Sequence, residues 1–307
     1  MIRKLNNSIL FSLILIISII IMALSLKGIS GNPSESDLNT IKWREHGVFE
    51  LSPERGRFAL TFSIVENNSI FFTEKIARFA APDVGITNGK YVSLFAPGLS
   101  YIIIPGYILG RIFGSAQVGT FAIISLLALS NFVLIYLISR KITSNTVAAL
   151  IAGIVFLFGT PAYVYGVNLY QHHVSTFLIL LSIFILTRSR RILANLLVFF
   201  LCGLSVTIDY PNFFFMLPIG IATLIRLVNI NISKNKIILK INFVKFLLIL
   251  AVLVPISFLM IFQNISYGNP LRLSGSVKTA KFDIKNDLSS IKNVAVKDND
   301  KSKLLCQ

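Results

Sequence analysis

Charge is scarce in this chain of 307 residues: only 14% of them are Asp, Glu, Lys or Arg, while 54% are apolar. A soluble domain carries about 25% charged residues, so the composition excludes an ordinary soluble protein. The mean hydropathy of +0.76 agrees with that exclusion. We therefore predict an integral membrane protein.

Cysteine and the common catalytic motifs are also nearly or wholly missing. The two cysteines are Cys202, inside an apolar run, and Cys306, next to the last residue, so neither a disulfide framework nor a Cys-based metal site is supported. The P-loop, the G-x-S-x-G elbow, the H-E-x-x-H zinc motif and the dinucleotide fingerprint do not occur. With no metal-ligand motif, the cofactor is unknown and a requirement for a divalent cation stays open.

What the sequence has is a series of long apolar runs. The first, 8–26, follows Arg3 and Lys4 and is long enough to cross a bilayer. No small-x-small cleavage site follows it, so we interpret it as an uncleaved first span. The later runs are 95–113, 116–139, 146–165, 172–187, 192–209, 211–228 and 244–263.

The positions of the basic residues decide which runs cross. If every run spans the membrane, Arg140-Lys141 and the cluster at 188–191 both fall outside the cytoplasm, against the positive-inside rule. If 95–113, which is interrupted by Pro and Gly, lies at the interface, every basic cluster falls inside. We therefore predict an all-α polytopic protein of the cell membrane with about seven transmembrane helices and a cytoplasmic N-terminus. Most of the excess positive charge, +16 in total, then lies in short cytoplasmic loops and reflects the membrane topology. It therefore gives no reason to expect a nucleic-acid partner.

The first loop, 27–115, is predicted to lie outside and to carry interfacial helices. Its residues 27–94 hold eight Lys or Arg and eight Asp or Glu. Ser52 as N-cap, Pro53 at the first position and Glu54 against the dipole predict a helix start. Phe58, Phe62 and Val65 continue at helical spacing up to Asn67-Asn68, which is typical of a short amphipathic helix on the membrane surface. We expect one transmembrane module over 1–264 and a loosely ordered polar tail over 265–307.

Two loop carboxylates are candidates for acid–base chemistry. Glu54 could take a proton from an incoming hydroxyl, and its neighbours Arg55 and Arg57 could hold a phosphate. The alternative is a helix N-terminal acid with solvated arginines beside it. Asp83 follows Pro82 and precedes Asn88-Gly89-Lys90, and both patterns are common in turns. The alternative interpretation is that Asp83 only forms a turn.

Further candidates lie at the predicted outer ends of later spans. Asp209 is the only acid between Asp83 and Asp283, and an ionisable group at a helix end in the membrane is a functional candidate. The alternative interpretation is that Asp209 only caps the helix at the membrane interface, beside Tyr210. Tyr170, His172 and His173 begin another span; they could donate hydrogen bonds to a phosphate or sugar, or simply anchor the interface.

Several segments resemble the GT-C class of membrane glycosyltransferases. They are SPERGRFALTFSIVENNSI, APDVGITNGKYVSLFAPGLSYIIIPGYILG, GTPAYVYGVNLYQHHVSTFLILL, GLSVTIDYPNFFFMLPIG and YGNP. The closest group is the dolichyl-phosphate-mannose–protein mannosyltransferase-like and aminoarabinose-transferase-like superfamily, and the likeness covers roughly residues 1–275. The resemblance implies an outer active site under the first loop, a polyprenyl-phosphate sugar donor and inverting transfer to a protein or glycolipid acceptor.

The resemblance also implies site residues. Glu54 matches the first acid of the family's Asp-Glu pair, Arg57-Phe58-Ala59 matches its Arg-Tyr-Ala, and Asp83 matches the acid of the bacterial Pro-Asp loop. Arg55 stands where the second acid belongs, and Phe95 where a lysine often stands, so Lys90 would have to substitute for that lysine. We expect Glu54 and Asp83 to be catalytic, and Arg57, Lys90, His172, His173, Asp209 and Tyr210 to bind substrate. A truncated or inactive lipid-binding or assembly protein, and a transporter, are the alternatives.

Overall fold

The structure is a computed structural model that describes residues 2–44, 47–233, 236–241 and 243–282. It is mostly helical, as expected, with short 3-10 turns at Asp37–Asn39, Leu247–Val252 and Ser274–Ser276. The α-helices, in chain order, are α1 (Ile2–Leu24), α2 (Ile41–Arg44), α3 (Ser52–Asn67), α4 (Glu74–Ala80), α5 (Gly98–Ile102), α6 (Ile104–Ile112), α7 (Ala116–Thr143), α8 (Thr146–Phe158), α9 (Ala162–Gly166), α10 (His172–Arg188), α11 (Ile192–Ile208), α12 (Asn212–Leu227), α13 (Phe243–Phe246) and α14 (Leu253–Tyr267).

Three of these segments are long and apolar enough to cross a membrane: Asn7–Leu24, Ala116–Thr143 and Leu247–Tyr267. Helices α8, α10, α11 and α12 are apolar but shorter, at 13 to 17 residues. The prediction of a helical membrane protein is therefore confirmed at this level. The full set of seven spans stays a prediction.

The expectation of an all-α fold is wrong for the first loop, because its strands β1 (Phe71–Phe72), β2 (Val84–Thr87) and β3 (Lys90–Ser93) join β6 (Lys278–Thr279) in a four-stranded antiparallel sheet of order β1-β3-β2-β6. Asn88 and Gly89 both have positive φ, at 51° and 73°, which is the two-residue turn that favours a hairpin. Strand β2 pairs with β3 from Val84 opposite Ser93 to Thr87 opposite Lys90. Strands β4 (Val228–Ser233) and β5 (Lys236–Ile241) form a separate hairpin.

The segment after residue 264 is also more ordered than expected. Strand β6 pairs with β2, and the Ala280 N–H donates to the Val84 carbonyl at 2.8 Å. The buried Tyr267 hydroxyl donates to the Ser93 carbonyl at 2.8 Å. The chain is therefore part of the fold of the first loop as far as Phe282, and the rest of the predicted loose tail, 283–307, lies outside the described residues.

Helix α3 has nearly the predicted bounds but not the predicted setting. It begins at Ser52 with Leu51 as N-cap, one residue earlier than expected, and ends before Asn68, whose φ is 48°. It does not lie on a surface, because Phe58 and Phe62 are buried among aromatic rings from other parts of the fold. The Phe49 ring centroid lies 4.9 Å from Phe58 and 5.8 Å from Phe121 of α7. The first loop therefore has its own core, which is continuous with the helical frame.

The interrupted run 95–113 forms two short helices: α5 packs against α3 and α11, and α6 packs against the start of α7. A Cβ on Gly106 or Gly110 of α6 would collide with the backbone at Gly119 or Ser115. Helices α6 and α7 can therefore approach this closely only because these positions carry no side chain. Neither short helix reaches spanning length. The interfacial placement of this run remains our interpretation.

Candidate functional site

The buried carboxylate of Glu54 joins two segments of the predicted outer face. Its Oε2 accepts hydrogen bonds from the N–H groups of Glu50 at 2.6 Å and Leu51 at 3.3 Å, and its Oε1 accepts one from Leu169 at 2.8 Å. The residue is 0% exposed. Burial raises the pKa of the Glu54 carboxyl, and the three backbone donors oppose part of that increase.

Glu54 is therefore better explained as a structural group than as the catalytic base that we expected. Both oxygens are occupied by backbone donors, and solvent does not reach the carboxylate. The alternative of a helix N-terminal acid describes the carboxylate, with an added contact to the loop between α9 and α10, but the arginines beside it are not solvated as that alternative supposed, because Arg57 is 5% exposed. Beside it, Lys27 bonds Glu50 and donates to the Asn168 side chain at 3.0 Å, which strengthens the same junction.

This assignment predicts that Glu54→Gln destabilises the protein. The amide would place an NH₂ group against backbone donors that now bond an oxygen, and each buried donor left unsatisfied costs about 1–3 kcal/mol. Thermal unfolding followed by the fluorescence of buried Trp43 should show a melting point lowered by several degrees. Glu74→Gln, at an exposed acid of the same loop, is the control and should unfold like the wild type. Equal melting points for all three proteins would contradict the structural role.

Arg57, one turn further along α3, presents a guanidinium that is almost completely buried and incompletely paired. Arg57 is 5% exposed, its Nη2 donates to the Gln171 side-chain oxygen, and its Nη1 has no hydrogen-bond partner among the described residues. The guanidinium lies 4.6 Å from the centre of the Phe95 ring. Burial lowers the pKa of Arg57 to about 10, and the nearby Asp209 carboxylate opposes that decrease, so the group is cationic at neutral pH.

Gln171 connects Arg57 to Asp209. Its side-chain oxygen accepts from Arg57, and its Nε2 donates to Asp209 Oδ2 at 3.0 Å. Asp209 directly follows the last residue of α11 and is partly exposed. Asp209 is therefore linked to Arg57 only through Gln171, which we did not foresee, and it has no ion pair among the described residues.

Aromatic rings flank this cluster at the start of α10. The exposed His172 ring stacks near Tyr170 at 5.9 Å and lies 4.4 Å from the Tyr165 ring. The Tyr170 ring is in turn 6.0 Å from the Arg57 guanidinium. Burial raises the pKa of the Tyr170 hydroxyl, so it remains a hydrogen-bond donor at neutral pH. His172 and Tyr170 thus offer donors at the accessible edge of the Arg57 cluster.

His173, which we expected to bind substrate, is a buried structural residue. Its Nε2 donates to the Ala162 carbonyl at 2.7 Å, and its Nδ1 accepts from the Asn131 side chain at 3.1 Å. Both ring nitrogens are used, and only 2% of the residue is exposed. Adjacent residues of a helix point in different directions, so His172 and His173 cannot both face one site.

Asp83 lies between α4 and β2, on a loop that Arg55 holds in place. Arg55 donates from Nε to the Phe79 carbonyl at 3.1 Å and from Nη2 to the Ala81 carbonyl at 3.3 Å. Asp83 is partly exposed as a residue, but its Oδ2 atom is buried and has no hydrogen-bond partner within the described part of the chain. Burial lowers the pKa of Arg55 and of Arg57, and the Asp83 carboxylate opposes part of each decrease. Asp83 is thus a partly exposed carboxylate beside the arginines, with one oxygen buried and unpaired.

Two other predicted site residues take part in different contacts. The Lys90 ammonium lies 4.4 Å from the centre of the Phe71 ring and lines a separate surface groove with Glu35 and Glu74, so it does not replace the lysine expected near Phe95. The Tyr210 hydroxyl accepts from Gln263 of α14 at 3.3 Å. Tyr210 therefore ties the turn that carries Asp209 to the last long helix.

The residues that sequence reasoning missed are uncharged. Gln171 and Asn168 lie in a short loop without Lys or Arg, where only their polarity between two apolar runs could have drawn attention to them. Within the described ranges, no group of three His, Cys, Asp or Glu side chains is placed to hold a metal ion. Comparisons with protein-family models, curated proteins and solved structures found no match.

Proposed function

We propose that this protein is a membrane glycosyltransferase that moves a sugar from a polyprenyl-phosphate carrier to an acceptor on the non-cytoplasmic side. The observation that carries the proposal is the buried Arg57 guanidinium, whose Nη1 lacks a partner in the described chain. Burying a cation without satisfying its donors is costly, and a phosphate oxygen would remove that cost. The guanidinium fork suits two phosphate oxygens better than an ammonium would.

An apolar groove supports a lipid-linked donor. A cleft of about 520 Å³ runs between α11, α12 and the segment that begins α14, and its walls include Val206 and Phe213. These two residues flank Asp209 and Tyr210 in sequence, so one end of the groove is near the Arg57 cluster. A polyprenyl chain in the groove and its phosphate near Arg57 would fit this arrangement.

Asp83 is the residue best suited to accept the proton of the acceptor. In the proposed step the acceptor hydroxyl gives its proton to Asp83, its oxygen bonds the anomeric carbon, and the bond from that carbon to the phosphate oxygen breaks. The polyprenyl phosphate leaves with the additional negative charge, which Arg57 stabilises with help from His172 or Tyr170. Positioned donors aimed at a developing charge commonly contribute the largest part of such catalysis.

The proposal includes seven spans, with the first loop outside and the β4–β5 hairpin inside. In a Cys202→Ser, Cys306→Ser background, a membrane-impermeant thiol reagent should label Asn68→Cys in intact cells. It should label Lys236→Cys only after the cells are opened. Equal labelling of both positions in intact cells would contradict this topology.

The function is tested by transfer from radiolabelled polyprenyl-phosphate sugars in membranes that contain the protein. We expect incorporation of label into protein or glycolipid that depends on the wild-type chain and is lost in Asp83→Asn. Purified protein that binds the lipid but transfers no sugar from any donor tried would instead indicate an inactive lipid-binding member of the class.

Asp209→Asn should lower transfer by about tenfold without lowering the amount of protein in the membrane. The substitution removes the charge that compensates Arg57 but can keep a hydrogen bond with Gln171, so the guanidinium loses part of its electrostatic support. Steady-state transfer rates at matched protein amounts provide the measurement. Asp37→Asn, on the exposed part of the first loop, is the control. An unchanged transfer rate in Asp209→Asn would mean that Asp209 only anchors the end of the helix.

A further inference from the structure

A second cleft lies between the ends of α7 and α10 farthest from the Arg57 cluster. Its volume is about 620 Å³, and it is lined by Leu137, Arg140, Lys141, Phe184 and Arg188. Helix α10 begins directly after Gln171 of the Arg57 cluster and ends at Arg188, and its 17 residues put about 25 Å between that cluster and this cleft. None of its lining residues takes part in the site proposed above.

The charge in the cleft is not neutralised by the part of the chain that the structure describes. Arg140, Lys141 and Arg188 have no ion pair there, and Asp209 is the only acid between Asp83 and Asp283. The three cations lie in the last turns of α7 and α10, where each helix terminus offers about half a negative charge. About two positive charges therefore remain uncompensated.

The shape and lining of the cleft favour a lipid over a small dissolved anion. Leu137 and Phe184 form an apolar wall below the basic rim, and the surrounding helices are the apolar ones of the membrane frame. Arg140 is held at the rim by a hydrogen bond of 3.1 Å to the Tyr136 hydroxyl, so its position is partly fixed before a ligand arrives. Basic pockets between transmembrane helices at the cytoplasmic side are suited to anionic lipid headgroups.

We infer that this cleft binds the phosphate headgroup of an anionic phospholipid, with the first part of an acyl chain against Leu137 and Phe184. The choice of the cytoplasmic leaflet rests on the proposed topology, whereas the binding itself does not depend on the glycosyltransferase function. Positive-inside charge alone explains why cations are at this end of the helices. It does not explain their convergence on one interhelical cleft with an apolar wall.

The test uses the purified full chain in a neutral detergent, with phosphatidylglycerol, phosphatidylcholine of the same acyl chains, or sodium phosphate added. Binding is read by native mass spectrometry and by the melting point. The pocket variant is Arg140→Gln, Lys141→Gln, Arg188→Gln. The matched control is Arg190→Gln, Arg191→Gln, Arg226→Gln, which removes the same charge from the same end of the frame outside the cleft.

We expect phosphatidylglycerol to bind and stabilise the wild type and the control, and its affinity to fall by about tenfold or more in the pocket variant. Phosphatidylcholine and sodium phosphate should have little effect. If the triple variant does not fold, the exposed single change Arg188→Gln should still weaken phosphatidylglycerol binding several-fold. Equal affinity in wild type and pocket variants, equal loss in the control, or the same stabilisation by sodium phosphate would each overturn the inference.

Discussion

Arg57→Lys should lower sugar transfer by about 10²–10³-fold while the protein still folds and inserts. Lysine keeps the positive charge but loses the planar fork, and with it the unpaired Nη1 that we assign to a phosphate oxygen. Loss of one positioned donor to a developing charge costs about that factor in other enzymes. The Phe95 ring and Gln171 would remain as the walls of the site, so the loss should come mainly from the chemical step.

The measurement is the transfer rate at saturating donor, with Arg111→Lys as the control. Arg111 lies in the last turn of α6 and pairs at 3.1 Å with Glu66, which is about 13 Å along α3 from Arg57. We expect the control to transfer at close to the wild-type rate. Equal losses in the two variants would mean that Arg57 acts only through the stability of the loop.

Asp83→Asn should lower the transfer rate by about 10²–10⁴-fold, the range that general base catalysis commonly contributes. The amide has nearly the same shape, and the buried Oδ2 has no hydrogen bond within the described residues for the change to break, so we expect little change in stability. Glu54→Gln should have the opposite effect: a larger loss of protein stability and a smaller loss of transfer rate per folded molecule. The two loop carboxylates are thereby assigned different roles by their hydrogen bonds.

The comparison is made with rates corrected for the folded fraction of each variant. Asp37→Asn, at an acid that bonds Ser34 on the surface of the same loop, controls for the loss of a carboxylate. A corrected rate of Asp83→Asn equal to that of Asp37→Asn would remove Asp83 from the mechanism. A corrected rate for Glu54→Gln as low as that expected for Asp83→Asn would restore Glu54 as the base.

The helical frame could be predicted well from hydropathy because lipid requires long apolar runs with satisfied backbones. The start of α3 was predicted within one residue from Ser52, Pro53 and Glu54. The sheet was missed because its strands are short and one partner, β6, comes from residues 278–279, nearly 200 residues after β2. Local pattern carries no information about such a distant pairing.

The candidate site could be predicted in part. Arg57, Asp83, His172 and Asp209 were identified from charge and position, and the structure places Asp209 and Asp83 in the electrostatic environment of Arg57.

The roles of Glu54 and His173 could not be predicted, because an acid or imidazole that bonds the backbone looks the same in sequence as one that faces a substrate. Hydrogen-bond partners, such as Leu169 N–H and Ala162 carbonyl, distinguish the two cases.

The central claim is that the Arg57 cluster binds a polyprenyl phosphate, and direct binding of farnesyl phosphate tests it. The experiment uses the Arg140→Gln, Lys141→Gln, Arg188→Gln background, so that the basic cleft at the other end of α10 does not contribute. We predict that farnesyl phosphate binds at least about tenfold more tightly than farnesol, and that adding Arg57→Lys removes this preference whereas adding Arg111→Lys keeps it. Equal binding of farnesyl phosphate and farnesol, or a preference that survives Arg57→Lys, would contradict the claim.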